Sequence, residues 1–271
     1  MPELPEVETI RRALDGYLPG SRIARVVVRN SRLRWPVAED IIRDLPGQTV
    51  QEITRRGKYL LFHMTRGTMI LHLGMSGSLR LASAEVAPEK HDHVDFVLED
   101  GDCLRFRDPR RFGAILWTNA DPLMHARLAG LGPEPLEGEF SGNWLFKVSR
   151  NRRIAIKWLL MDGGTVAGLG NIYVNEALFR AEILPTRAAN DISLTRYDIL
   201  VRSIRDTLHE AIDNGGTTLR DFFRSDGKPG YFYQRLQVYG RAGKPCPLCG
   251  HGIERSKEHQ RSSFFCPRCQ K

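Results

Sequence analysis

Apolar residues recur at helical spacing near the start of the chain. Val7, Ile10, Leu14 and Leu18 fall on one face, and the glycines Gly16 and Gly20 close the pattern. A first helix is predicted there. From about residue 22 to 117 the pattern changes to short runs of β-branched and aromatic residues, separated by glycine, proline or charged turns. The runs 23–28, 50–54, 59–64, 69–73, 78–81, 94–98, 103–107 and 114–117 predict strands, with a short helix inserted over 38–45. Short strands at this density predict an antiparallel sandwich or barrel.

Gly130-Leu131-Gly132-Pro133-Glu134-Pro135-Leu136 reads as a linker. Beyond it the pattern is helical over 142–148, 154–161, 172–180 and 194–213, the last ending at Asn214-Gly215-Gly216. There is no internal repeat and no low-complexity tract. The predicted organisation is 1–131 as a β-rich domain with a leading helix, 132–236 as a helical domain and 237–271 as a metal module. The fold class is therefore α+β and multidomain. A cleft between domains is a natural place for a binding site.

Composition narrows the partners. The 271 residues suffice for two domains with real cores, and 40 Lys plus Arg against 32 Asp plus Glu leave a net charge of +8. That excess suits a polyanion. No apolar run approaches the roughly 20 residues needed to cross a bilayer. The start lacks a signal peptide's apolar core, so cytoplasmic residence is expected. Of the five cysteines, Cys103 lies in an apolar run and reads as a small buried side chain.

The other four form Cys246-Pro247-Leu248-Cys249 and Cys266-Pro267-Arg268-Cys269, with sixteen residues between the pairs. This spacing is that of a zinc site, and four thiolates leave no open position, so one structural Zn²⁺ is expected. The competing reading is a redox pair of dithiols. A hairpin between the pairs would project Arg261 from a rigid base, and a plain solvated loop arginine is the alternative.

The opening Met1-Pro2-Glu3-Leu4-Pro5-Glu6 carries the sharpest chemistry. With Met1 removed, Pro2 presents a secondary amine that can attack a sugar aldehyde carbon and form an iminium ion. A free α-amine is roughly one-tenth unprotonated at neutral pH. A nearby base or cation raises that fraction. Glu3 and Glu6 are candidates for proton transfer. The bland alternative is a proline that merely leads into a helix.

Several ordered blocks bear on that choice. They are Arg56-Gly57-Lys58-Tyr59-Leu60, His72-Leu73-Gly74-Met75-Ser76-Gly77, Lys90-His91-Asp92-His93-Val94-Asp95 and Asp108-Pro109-Arg110-Arg111-Phe112-Gly113. Gly168-Leu169-Gly170-Asn171-Ile172-Tyr173, Gly215-Gly216-Thr217-Thr218, Ser225-Asp226-Gly227-Lys228-Pro229-Gly230-Tyr231 and Gln237-Val238-Tyr239-Gly240-Arg241 follow. With the opening and the cysteine finger, they make the chain resemble the bacterial formamidopyrimidine-DNA glycosylases over nearly its whole length.

The resemblance implies an N-terminal antiparallel β-sandwich, a helix–two-turn–helix domain and a zinc finger. It implies a bifunctional glycosylase and AP lyase of base-excision repair, acting on oxidised purines through a Pro2 Schiff base, with Glu3 in proton transfer. Glu6 supports the Pro2 segment and the lesion. Lys58 contacts the lesion phosphate and aids catalysis, and Arg261 grips flanking phosphates and serves the second elimination. Met75, Arg110 and Phe112 are implied to fill the space of the flipped base and meet the orphaned cytosine. His72, His91, Arg152, Lys157 and Asn171 are implied to contact DNA. The loop over 217–231 is implied to close on the base. The partner is damaged double-stranded DNA, bound by a monomer without membrane or nucleotide cofactor. Lys157 precedes Trp158 where the family commonly has proline, which leaves the start of that helix open.

Two rivals remain. One is endonuclease VIII-like excision of oxidised pyrimidines, though such proteins typically open Pro-Glu-Gly-Pro and this chain has Leu4. The other is a non-catalytic zinc-finger DNA-binding protein, which leaves the Pro2-Glu3 terminus without purpose.

Overall fold

A computed structural model describes residues 2–216 and 234–271. The segment 217–231, singled out above as a closing loop, lies outside the described residues. The chain divides into two compact units, one of residues 1–129 with 215–230 and the other of 130–214 with 231–271.

The first unit opens with helix α1, Leu4–Asp15, whose Pro5 sits in the first turn, where a missing N–H costs nothing. Leu4, Val7, Ile10 and Leu14 form its buried stripe. Helix α1 stops at Asp15, so Leu18 extends the apolar surface from the following turn rather than from the helix.

The remaining elements are β1 (Ile23–Val28), α2 (Glu39–Asp44), β2 (Val50–Arg56), β3 (Tyr59–Met64) and β4 (Thr68–His72), followed by β5 (Ser78–Ser83), β6 (Asp92–Leu98), β7 (Asp102–Arg107) and β8 (Ala114–Thr118). They make two four-stranded antiparallel sheets, ordered β1-β6-β7-β5 and β2-β3-β4-β8. One apolar cluster joins Val26, Phe96 and Leu104 of the first sheet to Ile53, Phe62 and Leu71 of the second. The expected sandwich is therefore present, with α1 contributing to the same core.

Strand β6 is buried along its whole length, although it carries Asp92, His93 and Asp95. Burial of charge requires partners. Arg105, itself fully buried, donates to both oxygens of Asp95 at 2.9 and 2.8 Å, and Arg29 adds a bond of 2.6 Å. Burial alone raises the Asp95 pKa, but these guanidiniums outweigh it and hold the carboxyl below its ordinary value.

In the second unit, α3 (Gly142–Ser149) and α6 (Leu194–Asp213) are capped by Ser141 and Ser193, whose hydroxyls accept from Trp144 and Arg196 N–H groups. Between them lie α4 (Ile156–Met161) and α5 (Asn171–Arg180). Helix α4 begins two residues later than its apolar pattern suggests. The N–H groups of Ile156 and Lys157 are taken by the carbonyls of Arg187 and Pro185, so no proline is needed to start it. The finger contains the hairpin β9 (Glu254–Glu258) and β10 (Arg261–Phe265).

Candidate active site and nucleic-acid interface

The N-terminal segment is set rigidly. Glu3 and Glu6 are both buried, and Glu6 Oε2 accepts from the Glu3 N–H at 2.8 Å. Because Leu4 and Val7 are locked in the core, the half-buried Pro2 is held at the head of a fixed helix. Gly216, the last described residue before 217, packs on Glu6. Its φ is +73°, and a Cβ there would lie 2.9 Å from Glu6 Oε1.

Lys58 occupies the two-residue turn between β2 and β3, immediately before Tyr59, with Gly57 at φ +56°. Tyr59 pairs across the sheet with His72, and their rings lie 4.7 Å apart. His72 Nδ1 accepts from the Gly74 N–H at 3.0 Å, which leaves Nε2 to carry the proton of the neutral ring. Burial, reinforced by the Lys58 and Arg34 charges, lowers the His72 pKa from 6.5 to about 4. At neutral pH the side chain is therefore an uncharged Nε2–H donor, suited to a phosphate oxygen.

Met75 and Phe112 are apolar and yet 36 % and 42 % exposed. Their loops touch. Gly74 has φ +63°, and a Cβ on it would overlap the Phe112 carbonyl carbon at 2.3 Å. The Arg110 guanidinium lies 4.9 Å from the Phe112 ring centroid. Beneath them Asp108 is fully buried, and its Oδ1 accepts from Ser76 Oγ at 2.7 Å and its Oδ2 from Gly113 N–H at 2.7 Å. The Arg110 N–H donates to the same Ser76 oxygen at 3.1 Å. His93 Nε2 meets the Asp108 carbonyl at 2.8 Å, and the Asp108 N–H donates to the His91 carbonyl at 3.0 Å. Asp108 and Ser76 are thus the frame of the exposed trio. They lie within recognised motifs, but nothing in a linear pattern says that a Ser hydroxyl and an Asp carboxylate so far apart will meet.

In the second unit the sequence-predicted residues converge on the finger hairpin. Lys157 is buried, and its Nζ donates to Ser262 O at 2.7 Å and Ser263 Oγ at 2.9 Å. Burial lowers its pKa from 10.5 to about 8, with the Arg261 charge acting in the same direction and Glu258 opposing it. Asn171, the first residue of α5, donates to the same Ser262 carbonyl at 3.1 Å. Both side chains therefore seat β10 directly beside Arg261. Arg261 follows a two-residue turn in which His259 and Gln260 have φ of 44° and 62°, values that β-hairpin turns usually assign to Asn or Gly. Arg152 stands apart, exposed and paired with Asp162 at 3.2 Å.

Glu176 carries no local signal in the sequence. Buried in α5, it accepts from the N–H groups of Gln237, Val238 and Tyr239 at 2.8, 3.0 and 2.8 Å. Burial raises its pKa despite those three bonds. It fixes the chain where the finger segment begins.

The four finger cysteines have Sγ atoms all within 4.8 Å of one another, with Cys246–Cys269 at 3.9 Å and Cys249–Cys266 at 3.5 Å. A tetrahedral zinc about 2.3 Å from each sulfur sets separations of about 3.8 Å. The donor set and its spacing fit one structural Zn²⁺. All four sulfurs converge on one point rather than forming two separate CxxC pairs, which favours a shared metal over a pair of redox dithiols.

Three family models match consecutive parts of the chain: the formamidopyrimidine-DNA glycosylase N-terminal domain over residues 1–115, the H2TH domain of the same family over 131–223, and the zinc finger found in FPG and IleRS over 243–271. The chain belongs to the formamidopyrimidine-DNA glycosylase family. It is 55 % identical to the formamidopyrimidine-DNA glycosylase of Nitrosococcus oceani and 57 % to that of Yersinia pseudotuberculosis, each alignment covering 100 % of both chains. Its structure is similar to that of a Lactococcus lactis FPG mutant in complex with Fapy-dG-containing DNA, with a TM-score of 0.91, 36 % identity and 100 % coverage of both chains. The MutM (FPG) protein of Thermus thermophilus matches with a TM-score of 0.87 and 39 % identity, over 99 % of this chain and 98 % of that one. Like this family, the chain is a DNA glycosylase of base-excision repair with a four-cysteine zinc finger. No helix among its described residues is long and apolar enough to cross a membrane.

Proposed function

We propose that this glycosylase removes oxidised purines, 8-oxoguanine and formamidopyrimidines, through the Pro2 nitrogen and then cuts the strand. The observation that carries the reading is the fixed N-terminus: Pro2 heads a helix locked in the core, with two buried carboxylates, Glu3 and Glu6, within the next four residues. Once Met1 is removed, the Pro2 lone pair attacks C1′. The C1′–N bond breaks, and the base departs with that electron pair and a proton. Glu3 protonates the ring oxygen as the sugar opens to an iminium ion.

The iminium withdraws electrons, so the C2′ proton becomes acidic. Its removal expels the 3′-phosphate, and a second elimination expels the 5′-phosphate. Water then releases Pro2 from the sugar fragment. Lys58 and neutral His72 serve the phosphate beside the lesion, and Arg261 serves the second elimination. Met75, Arg110 and Phe112 occupy the space of the extruded nucleotide, whose unstacking costs a few kcal/mol. Zinc holds the finger and takes no part in the bond changes. The enzyme acts as a single chain on duplex DNA, in the bacterial cytoplasm.

The test is excision from matched duplexes carrying 8-oxoguanine opposite cytosine or thymine glycol. Faster release of 8-oxoguanine supports the purine assignment, and faster release of thymine glycol overturns it. The alternative has a footing, since a Lactococcus lactis relative has been crystallised with DNA containing an oxidised pyrimidine.

A further inference from the structure

Trp35 carries two guanidiniums. The Arg127 Cζ lies 4.0 Å from its ring centroid and the Arg34 Cζ lies 4.9 Å from it. Both arginines are exposed while Trp35 is half-buried. The platform is anchored on either side in sequence, by Leu33 and Leu128 in the core and by the Arg34 N–H, which donates to the Gly113 carbonyl at 3.0 Å. Gly113 immediately follows Phe112, so this stack adjoins the strap that carries Arg110 and Phe112.

What sets these two arginines apart is that they share one ring and, among the described residues, have no acid beside them. The same unit pairs Arg22, Arg29, Arg43 and Arg80 with carboxylates. Among the described residues no carboxylate lies within 4.0 Å of Arg34 or Arg127. Both charges act on the Tyr59 hydroxyl, although burial dominates and its pKa is raised. Arg34 also acts on His72. Two like charges held on one ring, with no acid between them and a third cation, Lys58, one residue from Tyr59, are an arrangement that an anion completes. Cation–π stacking fixes the guanidinium planes and leaves their edge N–H groups free to grip an oxyanion.

We infer that the Arg34–Trp35–Arg127 stack is a further phosphate-gripping site, one that holds the DNA backbone beside the Lys58–His72 position. The inference rests on the reading of the chain as a duplex-DNA enzyme. The ligand is a phosphodiester, recognised without regard to base sequence or lesion.

The measurement is the salt dependence of binding by the zinc-loaded, full-length protein. The probes are an undamaged duplex and one carrying a tetrahydrofuran abasic analogue. Each phosphate neutralised adds about 0.9 to the slope of log affinity against log salt. Arg34→Gln/Arg127→Gln is expected to lower that slope by about 1–2. Affinity at 0.1 M salt should fall by about tenfold or more, equally for both duplexes. Arg34→Lys/Arg127→Lys should recover most of the slope. The single Arg127→Gln variant, whose exposed side chain has no role in the core, should show part of the loss. Arg66→Gln, an exposed arginine elsewhere on this unit, serves as the control and should leave the slope unchanged.

A double variant with the wild-type melting temperature and the wild-type slope overturns the site while leaving the enzyme assignment intact. A flat salt response in the wild-type protein instead overturns the duplex-binding reading itself. A loss confined to the abasic duplex also overturns the site, because it would make the stack a lesion reader.

Discussion

The Ser76 hydroxyl donates to the buried Asp108 carboxylate at 2.7 Å, joining the turn that holds Met75 to the strap that holds Arg110 and Phe112. The two loops that present the exposed apolar side chains are thereby one unit. Hydrogen bonds to a buried charge contribute about 1.5–3 kcal/mol each. Ser76→Ala should lower stability by about that much and blunt base extrusion. Asp108→Asn keeps the shape but loses the charge, and its effect should be smaller. Stopped-flow fluorescence of a 2-aminopurine placed beside the lesion reads the extrusion step. Wild-type extrusion rates in Ser76→Ala would show that the link does not position the trio.

His72 gives a dependence on pH whose sign is fixed. Its folded-state pKa is about 4 against 6.5 for a free ring. Above pH 6.5 both the folded and the unfolded ring are neutral, and the site costs nothing. As pH falls from about 6.5 to 4 the unfolded chain binds a proton that the folded chain refuses, so stability is lost in that window. His72→Gln, which can still accept from the Gly74 N–H, should remove this limb of the stability curve. Identical wild-type and variant melting profiles from pH 7 to 4 would show that the ring is not held neutral.

The finger should depend on its metal. Cys249→Ser or exhaustive chelation is expected to release one zinc per chain and weaken duplex binding, because the hairpin bearing Arg261 loses its base. Metal analysis with a parallel binding assay checks both. Unchanged zinc content in the variant would remove Cys249 from the ligand set.

Lys157 and Asn171 should act through Arg261 rather than by direct contact. Lys157→Met leaves Ser262 O and Ser263 Oγ short of a charged donor, at a cost of about 1–3 kcal/mol to hairpin seating. Base release should survive better than the second elimination. Resolving β- from δ-elimination products on a denaturing gel tests this. Equal loss of both steps would contradict a positioning role.

Much of the fold was legible in the sequence because it is written in local periodicity. The 23–28 and 59–64 runs and the long 194–213 helix appear with the bounds their patterns suggest. The zinc ligands were legible because their spacing is itself the geometry. Lys58 was legible as the residue leading into the 59–64 strand, but that it sits with Gly57 in a two-residue turn shows only once the register of β2 on β3 is known. Asp95, Asp108 and Glu176 were silent for a different reason. A carboxylate that is buried is stabilised by partners far off in sequence, such as Arg105 or the 237–239 backbone, and no local pattern announces those meetings.

The central claim is a covalent bond between the Pro2 nitrogen and deoxyribose. Borohydride reduction during turnover of an 8-oxoguanine duplex, followed by proteolysis and mass mapping of the adduct, tests it most directly. The expected result is one trapped species with the sugar on Pro2, abolished when Met1 is retained. A protein that cleaves at full rate with Met1 still attached, or an adduct mapped to Lys58 or any other amine, would contradict it.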